Sequence, residues 1–188
     1  MPVLYGRASF LGNEMIFPIR IYGDPILRGK VPELNSYEEV LPYVVDMIET
    51  MYDDDGIGLS ANQVGLSMRF FTIGMNAFED GRGDSIFINP EILEFSEEQW
   101  DFEEGCLSVP GIREYVTRPL TIKVRYLTDR GEEREEILTD LAARVFQHEF
   151  DHLNGIFFVD RISSLKLRLH RKKLKTLTEK NTENNLLM

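Results

Sequence analysis

Residues 139–155 read TDLAARVFQHEFDHLNG, and what this stretch becomes decides what the rest of the chain must surround. Leu141, Val145 and Phe146 recur at helical spacing, Thr139 stands where an N-cap belongs, and Gly155 closes the run. The spacing predicts a helix. On such a helix His148 and His152 lie four residues apart on one face, about 5–6 Å from each other, so both imidazoles can converge on one cation. Glu149 follows the first histidine and can reach a water at such a cation without ligating it, the general-base arrangement of H-E-x-x-H.

Two histidines need a third ligand. Beyond the motif stand only Glu179 and Glu183, in a polar tail, which argues against a glutamate-completed zinc protease. The longer pattern H-E-x-x-H-x-x-G-x-x-H holds through Gly155 and then fails, because Phe158 occupies its last position. Cys106, in EGCLSVPG (104–111), is the remaining soft donor. Set between glycines and before a Val109-Pro110-Gly111 turn, it cannot sit in a helix. One thiolate with two imidazoles leaves a tetrahedral ion one position for water, as a catalytic site requires. In GIGLSANQ (56–63), Gly56 and Gly58 let backbone approach a substrate, and Gln63 offers an amide donor to a developing oxyanion.

Around these motifs, FPIRIYGDPILR (17–28) reads as an extended segment, a turn at Gly23-Asp24-Pro25 and a short apolar continuation. SYEEVLPYVVDMIETMYDDD (36–55) carries helical spacing, with Ser36 and Glu39 as a capping box and a start between Ser36 and Leu41, depending on Pro42. RFFTIGM (69–75) is strand-like, and SIFINPEILEF (85–95) is one strand or two, interrupted at Asn89-Pro90. TIKVRYLTDRGEEREEIL (121–138) alternates around a turn at Asp129-Arg130-Gly131, a hairpin signal. SLKLRLHRKKLKTLTEK (164–180) reads as a further helix with a fraying polar end. The expected class is α+β, with antiparallel β-sheets and hairpins packed around a central metal-binding helix, and a C-terminal helix. No repeat or linker divides residues 1–188, so one domain is expected.

Of 188 residues, 43% are hydrophobic, enough for one well-filled core. MPVLYGRASFLGNE (1–14) lacks the basic start and apolar run of a signal peptide, and no apolar stretch is long enough to cross a bilayer. One cysteine excludes an internal disulfide, so a reducing compartment is the default. The net charge of −11 argues against a broad nucleic-acid-binding surface. Yet residues 163–188 hold seven Lys/Arg against two Asp/Glu, while 1–162 hold 14 against 30. A basic tail on an acidic body suits docking on RNA, and equally a solvated helix.

GIGLSANQ, EGCLS and QHEFDHLNG, in this order and rough spacing, resemble the three signature motifs of the peptide deformylases, and the likeness runs from YGDPILR (22–28) through VDRI (159–162). The resemblance implies a cytoplasmic hydrolase that removes the N-formyl group from the initiator methionine of new polypeptides, releasing formate. It implies one divalent metal per chain, Fe2+ natively with Zn2+, Ni2+ or Co2+ as substitutes, held by Cys106, His148 and His152. Glu149 would be the general base, and Gln63 with the backbone N–H of Leu107 would hold the formyl oxygen. Ile57, Gly58 and Glu104 would border the site and Arg113 would lie near the bound peptide. Leu141 and Val145 would help form the methionine pocket, although core packing explains those two equally well. The implied partners are N-formyl-Met nascent peptides and, through the basic C-terminal helix (163–188), the ribosome; no membrane is implied. Two departures stand out: Ser60-Ala61 replaces the usual Ala-Ala, and residues 1–14 precede the usual start, as an N-terminal extension.

Two other readings use the same residues. One is a metallopeptidase or amidohydrolase with a different substrate, and the other is a structural metal site with His170 as a fourth ligand.

Overall fold

A computed structural model describes residues 15–186, so the expected extension at 1–14 lies outside the described residues. The strands are β1 (Gly58–Ser60), β2 (Phe70–Ile73), β3 (Ser85–Phe95), β4 (Gln99–Gly105), β5 (Arg113–Pro119), β6 (Thr121–Leu127) and β7 (Glu133–Thr139). Five of them form an antiparallel sheet in the order β1-β2-β3-β6-β7, and β4 pairs with β5 as a separate antiparallel hairpin. With helices α1 (Val44–Asp53), α2 (Asp140–Leu153) and α3 (Ser164–Leu186), this is the expected α+β class.

Local chemistry explains where the elements depart from their sequence signals. Asn89-Pro90 does not divide its segment. β3 runs through it as one bulged strand, with the register against β6 shifting between Ile88 and Glu91. Asn89 takes the left-handed conformation, φ 48°, which asparagine tolerates, and its amide both donates to and accepts from the Leu34 backbone at 2.9 Å. The Ser36/Glu39 capping box forms, but over a 3-10 turn at Tyr37–Glu39. A second 3-10 turn, Leu41–Tyr43, contains Pro42, and α1 begins only at Val44, later than the expected window. The proline ring disfavours α geometry in the residue before it and removes a donor, so α-helical bonding starts downstream. The hairpin turn between β6 and β7 falls where Asp129-Arg130-Gly131 places it, with Leu127 opposite Glu133.

α2 is the central element. Its Thr139 occupies the N-cap position, but the hydroxyl donates to Asp140 at 3.0 Å and not to the helix backbone. Asp140 has φ 52°, a sharp turn from β7 into α2 that carries the hydroxyl away from the first turn's N–H groups. On the sheet side, Phe146 meets Phe71 and Phe87 edge-on at 5.0 and 5.1 Å. On the other side stand the β4–β5 hairpin and the apolar cluster of Leu27, Val109, Ile112, Val116, Phe157 and Phe158. A helix covered on both sides has little room for solvated charge, so every polar residue it buries needs a partner. At its end Gly155, φ 73°, presses on the Arg28 carbonyl, where a Cβ would come within 2.4 Å. α3 covers the same cluster through Leu174 and Leu177. Among the described residues, no helix is long and apolar enough to cross a membrane.

Candidate active site

α2 supplies His148 and His152, one turn apart, with ring centroids 5.0 Å from each other. The loop leaving β4 brings Cys106 to them. Its Sγ lies 3.2 Å from His152 Nε2, and the donor atoms of Cys106, His148 and His152 all lie within 4.8 Å of one another. No other group of three potential metal ligands occurs among the described residues. His170 is on α3, bonded to Glu114 at 2.9 Å, so it supplies no fourth ligand here. A soft thiolate and two imidazoles this close fit a divalent cation with ligand bonds of about 2.0–2.3 Å.

The candidate ligands are held from behind. His148 Nδ1 lies 2.8 Å from Glu104 Oε2, which orients the ring with Nε2 towards Cys106. Glu104 itself accepts from Arg118 Nε at 2.7 Å and Arg144 Nη1 at 2.9 Å, all buried. Arg118 continues to Asp151 at 2.7 Å, and Asn62 donates to the His152 carbonyl at 2.7 Å. Burial opposes the charged form of Glu104, yet the bonds from His148 and Arg118 hold its carboxyl well below the ordinary range. Burial also works against a charged His148, but bonding to Cys106 and Glu104 keeps its pKa well above the usual value. His152 is pushed the other way, by burial and then by the neighbouring His148 charge.

Cys106, His148, Glu149 and Gln63 line one cavity of about 900 Å³. Gln63 Nε2 stands 3.6 Å from Cys106 Sγ and donates to Ser108 Oγ at 3.1 Å. Burial raises the Glu149 carboxyl above its ordinary value. Gly58 lies against that carboxylate, and a Cβ there would come within 2.7 Å of Glu149 Oε1 and 2.6 Å of Val145 Cγ1. Glycine is thus required by proximity, because a side chain would displace the Glu149 carboxylate.

The remaining residues singled out from the sequence also reach this cavity. Ile57, Leu107, Arg113, Leu141 and Val145 line it, and Leu141 and Val145 belong at the same time to the core cluster of Phe146. Glu104 borders it too, but its carboxylate is engaged by His148, Arg118 and Arg144, a supporting place and not a free substrate contact. Sequence reading marked Ser60 only as a departure from the usual Ala-Ala and passed over Asn62, Ser108, Arg118, Arg144 and Asp151. Asp151 lies inside the histidine motif, which was a signal. The arginines stand in unremarkable strand and helix sequence, and nothing local marks them as buried.

Residues 16–168 match the family described as polypeptide deformylase. The peptide deformylase of Thermotoga petrophila is 49% identical over 160 residues, covering 85% of this chain and 94% of its own. That of Cytophaga hutchinsonii is 41% identical over 169 residues, covering 88% and 92%. Among solved structures, the Thermotoga maritima peptide deformylase superposes with a TM-score of 0.73 at 49% identity, covering 79% of this chain and 99% of that one. The Plasmodium falciparum enzyme does so with a TM-score of 0.81 at 37% identity, covering 88% and 98%.

Proposed function

This chain belongs to the polypeptide deformylase family and removes the N-formyl group from nascent peptides, and on that premise we propose which of its residues carry the reaction. Cys106, His148 and His152 hold the metal, which we take to be Fe2+ in the native protein, with Zn2+, Ni2+ or Co2+ as substitutes; the thiolate–imidazole set accepts each of these. When bound, the ion supplies Lewis acidity that makes water nucleophilic near neutral pH. Glu149 takes the proton from the attacking water as its oxygen bonds to the formyl carbon. The Gln63 amide and the Leu107 N–H receive the negative charge on the formyl oxygen. Glu149 then passes the proton to the methionine nitrogen as the C–N bond breaks, releasing formate and a free amine. Ile57, Leu141 and Val145 supply apolar wall for the methionine side chain, Gly58 gives close backbone approach, and the exposed Arg113 lies at the rim for the following peptide.

What supports this assignment is one cavity lined by Cys106, His148, the candidate base Glu149 and the amide donor Gln63, with the His152 donor atom within 4.8 Å of those of Cys106 and His148. The test is an anaerobic assay of formyl-Met-Ala-Ser beside its acetylated and unblocked forms, with metal analysis of the same sample. Formate from the formyl peptide alone, with one metal per chain, is the expected result. Cleavage of the acetylated or unblocked peptide would favour a general amidohydrolase.

The same reading treats residues 1–188 as one catalytic domain in the cytoplasm, with 1–14 as an extension. It places α3 against the ribosome, since Arg168, Arg171, Lys172 and Lys175 are exposed on an otherwise acidic protein.

A further inference from the structure

Ser60 ends β1, fully buried and paired with Phe71 of β2, so its backbone is held by the sheet. Its Oγ lies 2.6 Å from Glu149 Oε2 and 3.0 Å from the Glu149 carbonyl. A hydroxyl carries one proton, and the shorter contact, to an oxygen that bears charge when the acid ionises, is the stronger acceptor. That leaves Oε1 on the side of Gly58, where Glu149 borders the cavity. The backbone N–H of Ser60 meanwhile donates to Gln63 Oε1 at 2.9 Å. This turns the Gln63 Nε2 towards Cys106 and Ser108. One residue thus touches both groups assigned to the chemistry, through different atoms. Any residue could supply the N–H contact. The hydroxyl contact is particular to this side chain.

We propose that Ser60 is a positioning residue whose hydroxyl fixes Glu149 Oε2, keeping Oε1 turned towards the water and the leaving amine. The inference rests on Glu149 being the base. Without the hydroxyl, a glutamate with three side-chain torsions has no hydrogen-bonding side-chain partner among the described residues to choose its rotamer, and a base outside hydrogen-bond reach transfers no proton.

The experiment compares the full-length wild-type protein with Ser60→Ala and Ser60→Thr, each metal-loaded anaerobically. Metal content, melting temperature, kcat and KM on formyl-Met-Ala-Ser, and crystal structures are measured. Ser60→Ala is expected to bind one metal and to melt within a few degrees of wild type. Its kcat should fall by about tenfold, the scale of a hydrogen bond to a charged group, with KM within about twofold. Glu149 should move or split between rotamers in that variant, and Ser60→Thr should recover most of kcat. An unchanged or raised kcat in Ser60→Ala, with the Glu149 side chain in place, overturns the proposal. So does lowered stability with unaltered kcat, which would make the contact purely structural. If the wild type releases no formate, the functional reading fails separately, and the Glu149 conformation in the Ser60→Ala crystal still decides whether the hydroxyl positions it.

Discussion

Glu104 holds His148 by a 2.8 Å contact to Nδ1, from a position where buried Arg118 and Arg144 donate to the same carboxylate. The His148 ring is therefore oriented by a charge network and not by packing alone. Glu104→Gln keeps the shape but loses the charge that balances two guanidinium groups. Metal affinity should drop by about 10–100-fold, as when a ligand's supporting partner is removed. Breaking the buried pair should also lower stability by about 3–5 kcal/mol. Competition titration with a chelator and urea unfolding would check the two effects; wild-type values for both would detach this network from the site.

Glu149→Gln changes one atom in the candidate base and spares the three candidate ligands. It should keep metal stoichiometry at wild-type level while kcat falls by about 10²–10⁴-fold, the usual worth of a positioned acid–base group. Steady-state kinetics beside metal analysis separate this outcome from simple metal loss.

Removing the Gln63 amide should act on the transition state. Gln63→Ala is expected to cost about 2.7–4 kcal/mol in kcat/KM, carried mostly by kcat. A rise in KM with kcat intact would instead make Gln63 a ground-state contact.

Glu114 on β5 ties the start of α3 to the hairpin, accepting from Lys166 and His170, each at 2.9 Å. Lys166 first and His170 next lower its carboxyl below the ordinary 4.5. A depressed carboxyl stabilises the fold above the unfolded-state value of 4.5, and the contribution fades as pH falls through the lower folded-state value. Wild type should exceed Glu114→Gln by at most about 1 kcal/mol at pH 7, because the pair is near solvent. The gap should narrow as pH falls below 4.5, as read by urea midpoints at pH 7 and across the acid range.

Contact of α3 with the ribosome is best tested by charge reversal. Leu174 is buried in the cluster with Val109, Ile112 and Phe157, so deleting 163–188 would uncover apolar core as well as remove charge. Arg171→Glu with Lys172→Glu leaves that face intact, since both side chains are exposed. Co-sedimentation with ribosomes should weaken, most clearly at low salt, while turnover of a short formyl peptide stays within twofold. Undiminished sedimentation would count against the docking surface.

The sequence by itself determined the chemistry that could occur. H-E-x-x-H on a helical repeat places two candidate ligands on one face beside a candidate base, because helical geometry repeats every 3.6 residues whatever surrounds it. The hairpin at Asp129-Arg130-Gly131 was legible from local turn chemistry, while Cys106 and Gln63 were candidates whose motifs, taken singly, assign no role. Tertiary structure alone decided how those pieces are held. Sequence neighbours cannot say that Ser60 lies against Glu149, 89 residues away, or that Arg118 and Arg144 meet at Glu104. Those contacts follow from burying a helix between a sheet and a hairpin, where each polar group loses water and must find a partner in space.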